Sequence, residues 1–224
     1  MMEPRRNPPE YFLEIFADST AVKDVLKGVL NLIFFHRFFP SIRPRTIDVL
    51  HLTLPAIADV ELETLIDARV TALVRQHLSS PQPASPSLDH AKNIPNDGGN
   101  NGNGVRGRIA VEFLEKKRPN RRSGMWGFGG LAGIGGKGAD ENESCWEIWT
   151  VDVTIATPRT DSERAKVRRA MENMLQKAAM KILSIVNRDK DHIPPITTSD
   201  ANPFPYRIIV NPRQEGWGTR IGLY

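Results

Sequence analysis

The residues most able to do chemistry lie in one stretch, GMWGFGGLAGIGGKG, from Gly124 to Gly138. Gly127, Gly129 and Ala132 spell G-x-G-x-x-A, the spacing with which a backbone cradles a dinucleotide pyrophosphate. That chemistry needs a strand before the first glycine and a helix opening on the last. KKRPNRRS precedes the stretch and ADENE follows it, so the flanks fail, and Lys137 is followed by Gly138 where a Walker loop needs Ser or Thr. The five histidines His36, His51, His77, His90 and His192 are scattered without H-x-x-x-H or H-E-x-x-H spacing, so no metal site is read. Cys145 begins an apolar strand beside Trp146, a setting for a small buried thiol rather than a nucleophile. No G-x-S-x-G elbow occurs. Catalytic residues, cofactor and metal are all read as none.

Two features of the stretch remain. Trp126 and Phe128, two apart in an extended chain, share a side and suit a partner that buries large apolar area at little rotamer cost. The alternative is that they fold back on their own domain. The adjoining basic residues Lys116, Lys117, Arg118, Arg121 and Arg122 could neutralise phosphates of nucleic acid or an anionic membrane. Asp140, Glu141 and Glu143 return on the other side and offset them, as at an ordinary solvated hairpin end.

The elements that must position these residues follow from periodicity. Tyr11–Ala17 reads as a strand after a Pro-Pro break. Asp18 is placed as the N-cap of a helix carrying Val22, Val25, Leu26, Val29, Leu30 and Ile33 and ending near Pro40. Thr46–Leu54 reads as one strand whose apolar phase slips midway, as at a bulge. Asp59 opens a second helix. Arg108–Lys117 and Cys145–Thr157 read as two strands of a hairpin with the glycine-rich segment at its tip. Thr160–Glu163 is a capping box starting a helix with Val167, Met171, Met174, Leu175, Ala178, Ile182, Ile185 and Val186 on one stripe, and Tyr206–Val210 is a last strand. His36 and Arg37, polar heads ending the apolar first helix, are candidate partner contacts, or they serve that helix's C-terminal carbonyls as cations.

At 224 residues with net charge +4 and a single cysteine, the chain suits one α/β domain in a reducing, cytoplasmic setting, three helices on a mostly antiparallel sheet. Residues 1–10 are expected to be a flexible start and 11–224 a single domain, interrupted by a disordered insertion at about 79–105 and a loop at about 118–144. The run Val25–Phe39 is broken by Lys27, Asn31, His36 and Arg37 and is too polar for a membrane span.

In order along the chain, Phe35-His36-Arg37, the strand Val111–Lys117, the Trp126-x-Phe128 pair, the run WEIWTVDV from Trp146 to Val153, HIPPI and PFPYRI resemble the autophagy-related protein 101 family. The likeness spans Tyr11 to about Val210, and W-E-x-W-x-V-x-V is its most specific part. It implies a HORMA domain with rearrangeable peripheral strands, in a non-catalytic subunit of the autophagy-initiation kinase complex. The implied partner is the HORMA domain of autophagy-related protein 13, bound and stabilised as a heterodimer. Trp126 and Phe128 would form an exposed finger that recruits downstream factors to the phagophore assembly site, with no nucleic acid and at most indirect membrane contact. Gly127 stands where that family's finger often has proline, so this finger would lose more entropy on binding. A nucleic-acid or anionic-membrane binding module using the basic run is the alternative, and a phosphate-binding enzyme using the glycines ranks last.

Overall fold

In the computed structural model the described residues are 7–40, 43–78, 105–116, 143–196 and 202–212. The chain runs β1 (Glu10–Asp18), α1 (Val22–Arg37), β2 (Pro44–Val49), β3 (Leu52–Ile57), α2 (Val60–Leu78), β4 (Val105–Lys116), β5 (Glu143–Ala156), α3 (Asp161–Arg188), β6 (Tyr206–Val210). Four strands form one sheet in the order β1-β5-β4-β6, and β2 with β3 forms a separate ribbon. β4 is antiparallel to both β5 and β6, whereas β1 lies parallel to β5, with Tyr11 opposite Trp149 and Ile15 opposite Val153. The expected three helices and mostly antiparallel sheet are therefore present.

Alternation explains which face of the sheet is buried. Leu13, Ile15 and Ala17 on β1, Ile109, Val111 and Phe113 on β4, and Trp149, Val151, Val153 and Ile155 on β5 are all buried, while Phe12, one position out of phase, is 50% exposed. The central helix is α1, packed against β1, the β2–β3 ribbon and both other helices. Its residues 28–34 are buried without a break; apart from Asn31, whose Nδ2 donates to the Lys27 carbonyl at 2.8 Å, none carries a polar side chain. Gly28 makes the approach possible, since a Cβ there would lie 2.8 Å from Val49 Cγ2. The capping box of α3 forms as expected, Glu163 N donating to Thr160 Oγ1 at 3.2 Å while Glu163 accepts from the Thr160 amide. Met171, Leu175, Ala178, Ile182, Ile185 and Val186 supply the buried stripe of α3.

Two expectations are corrected. Asp18 is not the N-cap of α1. Ala21 holds that position, and Asp18 Oδ1 instead accepts from the Thr20 and Ala21 amides at 2.9 and 2.8 Å, organising the turn that precedes the helix. Nor is Thr46–Leu54 one bulged strand. The phase slip marks a reversal at Leu50-His51, with Leu50 at φ 54°, after which β3 pairs back on β2. A two-residue turn shifts apolar phase just as a bulge does, so periodicity alone does not separate them. Expectations about residues 1–6, the 79–104 segment and the 118–142 part of the glycine-rich loop fall outside the described residues.

Candidate functional site

Trp126 and Phe128 lie outside the described residues, as does the basic run from Lys117 to Arg122. Their root is described. The strands that carry them are in register to their ends, Lys116 opposite Glu143 and Glu115 opposite Ser144. A bulge between Phe113 and Leu114 shifts that pairing, so that Leu114 faces Cys145 while Phe113 faces Glu147, leaving Trp146 as the extra residue. The bulge accounts for an oddity of burial. Trp146 and Glu147, neighbours on a strand that ought to alternate, are both buried, at 7% and 0% exposed.

Trp146 enters an aromatic block, its ring centroid 5.6 Å from Phe113 and 5.3 Å from Phe204. Phe204 meets Phe39 at 5.3 Å, and Phe34 meets Phe113 at 5.5 Å and Tyr206 at 4.9 Å. The last turns of α1 and the segment leading into β6 therefore close over the base of the loop. On the surface Glu143 pairs with Arg207 of β6.

Below this block Glu147 collects three donor groups. Arg37 Nε reaches both carboxylate oxygens at 2.9 and 3.0 Å, His192 Nε2 lies 2.5 Å from Oε2, and the Trp149 indole N–H donates to Oε1. Arg37 is 3% exposed and spends its remaining donors on main-chain oxygens, Asp189 at 3.0 Å and His36 at 3.3 Å. Tyr11 packs on Trp149 with the rings tilted and their centroids 4.8 Å apart, and it donates to Asp189 Oδ2 at 3.1 Å. Burial, then the bond to Asp189, pushes the Tyr11 phenol up to about 12. The Arg188 guanidinium, then the Tyr11 hydroxyl, holds Asp189 down at about 2. The end of α1, the strands β1 and β5, and the chain leaving α3 are thus fastened at one buried carboxylate. A carboxylate with no exposed surface and its oxygens engaged by a guanidinium, an imidazole and an indole has no face for a substrate, so the cluster acts as a clasp.

The candidate pair at the end of α1 divides. Arg37 points inward to Glu147, and one of its nitrogens also serves its own helix's carbonyl at His36. His36 is half-buried against Phe35, and its Nε2 is buried without a partner among the described residues. Burial, then the neighbouring Arg37 charge, pushes the imidazole pKa down, which favours the neutral ring. The Cys145 thiol is half-buried and donates weakly to the Glu147 carbonyl at 3.6 Å, and burial raises it to about 11, so it is a poor nucleophile. Among the described residues no group of three or more His, Cys, Asp or Glu converges as a metal ion would require.

Sequence reading singled out WEIW, HIPPI and Phe35-His36-Arg37 separately and missed that Glu147, His192 and Arg37 meet. The contacts span 45 and 110 residues, beyond any spacing rule. One signal was available: a glutamate between two tryptophans in a strand of buried residues demands a base close by.

The family model for autophagy-related protein 101 matches residues 14–200. The chain belongs to the autophagy-related protein 101 family. Similar proteins include autophagy-related protein 101 of Schizosaccharomyces pombe, 28% identical over 199 residues and covering 88% of this chain and 84% of that protein. The autophagy-related protein 101 of Arabidopsis thaliana is 23% identical over 217 residues with the same coverage. The family name places the chain in autophagy, and neither relative carries an enzymatic name. The motif WEIW that carried the resemblance is thus, in this family member, the strand of the clasp. Among the described residues no helix is long and apolar enough to cross a membrane.

Proposed function

We propose that this family member is a non-catalytic adaptor subunit of the autophagy-initiation kinase complex, built on a HORMA-like domain. It pairs with and stabilises the HORMA domain of autophagy-related protein 13, and Trp126 and Phe128 form a finger that recruits downstream factors to the phagophore assembly site in the cytoplasm. The observation that supports this reading best is the root of the loop. Two strands in register to Lys116 and Glu143 are held by an aromatic block and by the Glu147 clasp, an anchorage that gives an aromatic finger a fixed point of departure. Arg37, buried in that clasp, contributes by holding the end of α1, and His36 beside it is the candidate contact for the partner.

Replacing both Trp126 and Phe128 by alanine tests the finger. The double variant should keep the wild-type melting temperature and still co-purify with autophagy-related protein 13, while autophagosome formation in cells drops. Loss of folding would show instead that the two side chains belong to the core. Retention of full autophagy would remove the finger's role, and salt-sensitive binding to RNA or anionic vesicles through Arg118, Arg121 and Arg122 would favour the basic-module reading.

A further inference from the structure

Leu13, Ile15 and Ala17 of β1 are buried on the side of the helices, so Phe12, Glu14 and Phe16, out of phase with them, look the other way, and Phe12 and Glu14 are exposed. On that side a groove of about 710 Å³ crosses the strands. Its floor follows the register. Glu14 lies opposite Asp152 and Asp152 opposite Arg108, while in the next row Phe16 lies opposite Thr154 and Thr154 opposite Arg106. Ala170 and Met174 of α3, which packs on β1, wall one end, and Asn211 and Pro212, just past β6, wall the other.

The lining is balanced in charge, two carboxylates against two guanidiniums, and Arg108 already grips Asp152 at 2.5 and 3.0 Å. A polyanion finds no surplus charge there, whereas Phe16 and Met174 offer a ring and a thioether to an incoming apolar group.

The path of the chain into the groove points to its occupant. Asn211 N donates to the Arg108 carbonyl at 2.7 Å and Asn211 Oδ1 accepts from the Arg108 amide at 2.9 Å, which holds Asn211 on the row of Arg108 and Asp152. Its backbone is left-handed, φ 46°, a conformation that ends the strand and turns the chain. Pro212, the last of the described residues, then lies on the groove wall itself. The twelve residues after it, RQEGWGTRIGLY from Arg213 to Tyr224, carry one large ring, Trp217, between Gly216 and Gly218. From Asn211 to β1 is three strand spacings, about 14 Å. The five residues from Pro212 to Trp217 reach about 16–18 Å when extended, enough to set the indole on Phe16 and Met174.

We propose that the groove is the seat of this chain's own residues 213–224, which turn at Asn211, cross the sheet face opposite the helices and bury Trp217 against Phe16 and Met174. The site stands apart from the Trp126 loop and does not depend on the function proposed above.

Amide NMR of the ¹⁵N-labelled full chain and of a chain ending at Pro212 tests it. Loss of residues 213–224 should shift the amides of residues 14–16, 152–154 and 170–174, across the sheet from the cut. Trp217→Ser in the full chain should reproduce the shifts at 16 and 174. The Trp217 indole N–H, assigned by that substitution, should exchange with solvent about tenfold more slowly than in the free peptide RQEGWGTRIGLY, as for a side chain undocked about one-tenth of the time.

Shifts confined to residues 107–109 and 208–211 would report only the cut, overturning the proposal and leaving the groove to a partner chain. Distant shifts that vanish on dilution would overturn it in favour of a second copy seated there. An indole that exchanges as fast as in the peptide would also overturn it. If the shortened chain loses its dispersed spectrum, Trp217→Ser carries the test, and unmoved amides at 16 and 174 there overturn the proposal.

Discussion

Replacing Glu147 by glutamine would leave the Arg37 guanidinium, 3% exposed, facing an amide where it now has two charge-assisted contacts at 2.9 and 3.0 Å. His192 and the Trp149 indole would lose their anionic acceptor in the same step. Breaking one side of a buried ion pair costs about 3–5 kcal/mol, because the other charge stays desolvated and unpaired. For a domain whose whole stability is about 5–15 kcal/mol, that is a large share. For a chain of this size it corresponds to a fall of roughly 6–20 °C in Tm. The double replacement Arg37→Met with Glu147→Leu removes both charges and keeps most of the volume, so it should recover at least half of the loss.

Urea denaturation of the wild type, Glu147→Gln, Glu147→Leu, Arg37→Met and the double variant, read by tryptophan fluorescence, measures both quantities, the last three closing the cycle. Trp146 and Trp149, two of the four tryptophans, flank the substituted position, so part of the signal reports on the clasp. A cost below about 1 kcal/mol for Glu147→Gln, or strict additivity of the two single losses, would refute the clasp as a coupled unit.

Three further outcomes are expected. Gly28→Ala should destabilise by about 1–2 kcal/mol despite alanine's better helix propensity, because the new methyl meets Val49 Cγ2 at 2.8 Å and Leu54 Cδ1 at 3.2 Å; thermal melts will show it. Asp189 is held at about 2 against an ordinary 3.8, so its contribution is fully present above about pH 4 and is lost as pH falls through about 2. The stability gap between wild type and Asp189→Asn, followed by denaturant midpoints, should be constant at neutral pH and close between pH 4 and 2. Cys145, raised from 9.0 to about 11, should react with iodoacetamide at pH 8 about a hundredfold more slowly than an unperturbed thiol, as measured by mass spectrometry over time.

The three helices and most strands were legible because each carries a period that physics reads directly. The α3 stripe, the Thr160 box and the alternating run of β5 each leave one way to hide apolar atoms from water. The ribbon of β2 and β3 was misread because a tight turn and a bulge leave the same trace in hydrophobic phase. The parallel pairing of β1 with β5 joins residues far apart in sequence, for which no local pattern exists.

For the candidate site the division is similar. The sequence by itself placed Trp126 and Phe128 between two strands, denied the glycines their phosphate-binding flanks, and carried the motif series that marks the family. Only the tertiary structure decided that Arg37 turns inward to Glu147 and that His192 joins them. A buried charge requires a counter-charge, but sequence cannot say which one. The partner is chosen by the bulge at Phe113, which buries Glu147 beside Trp146, and by the packing that brings the end of α1 and the chain after α3 to the same strand.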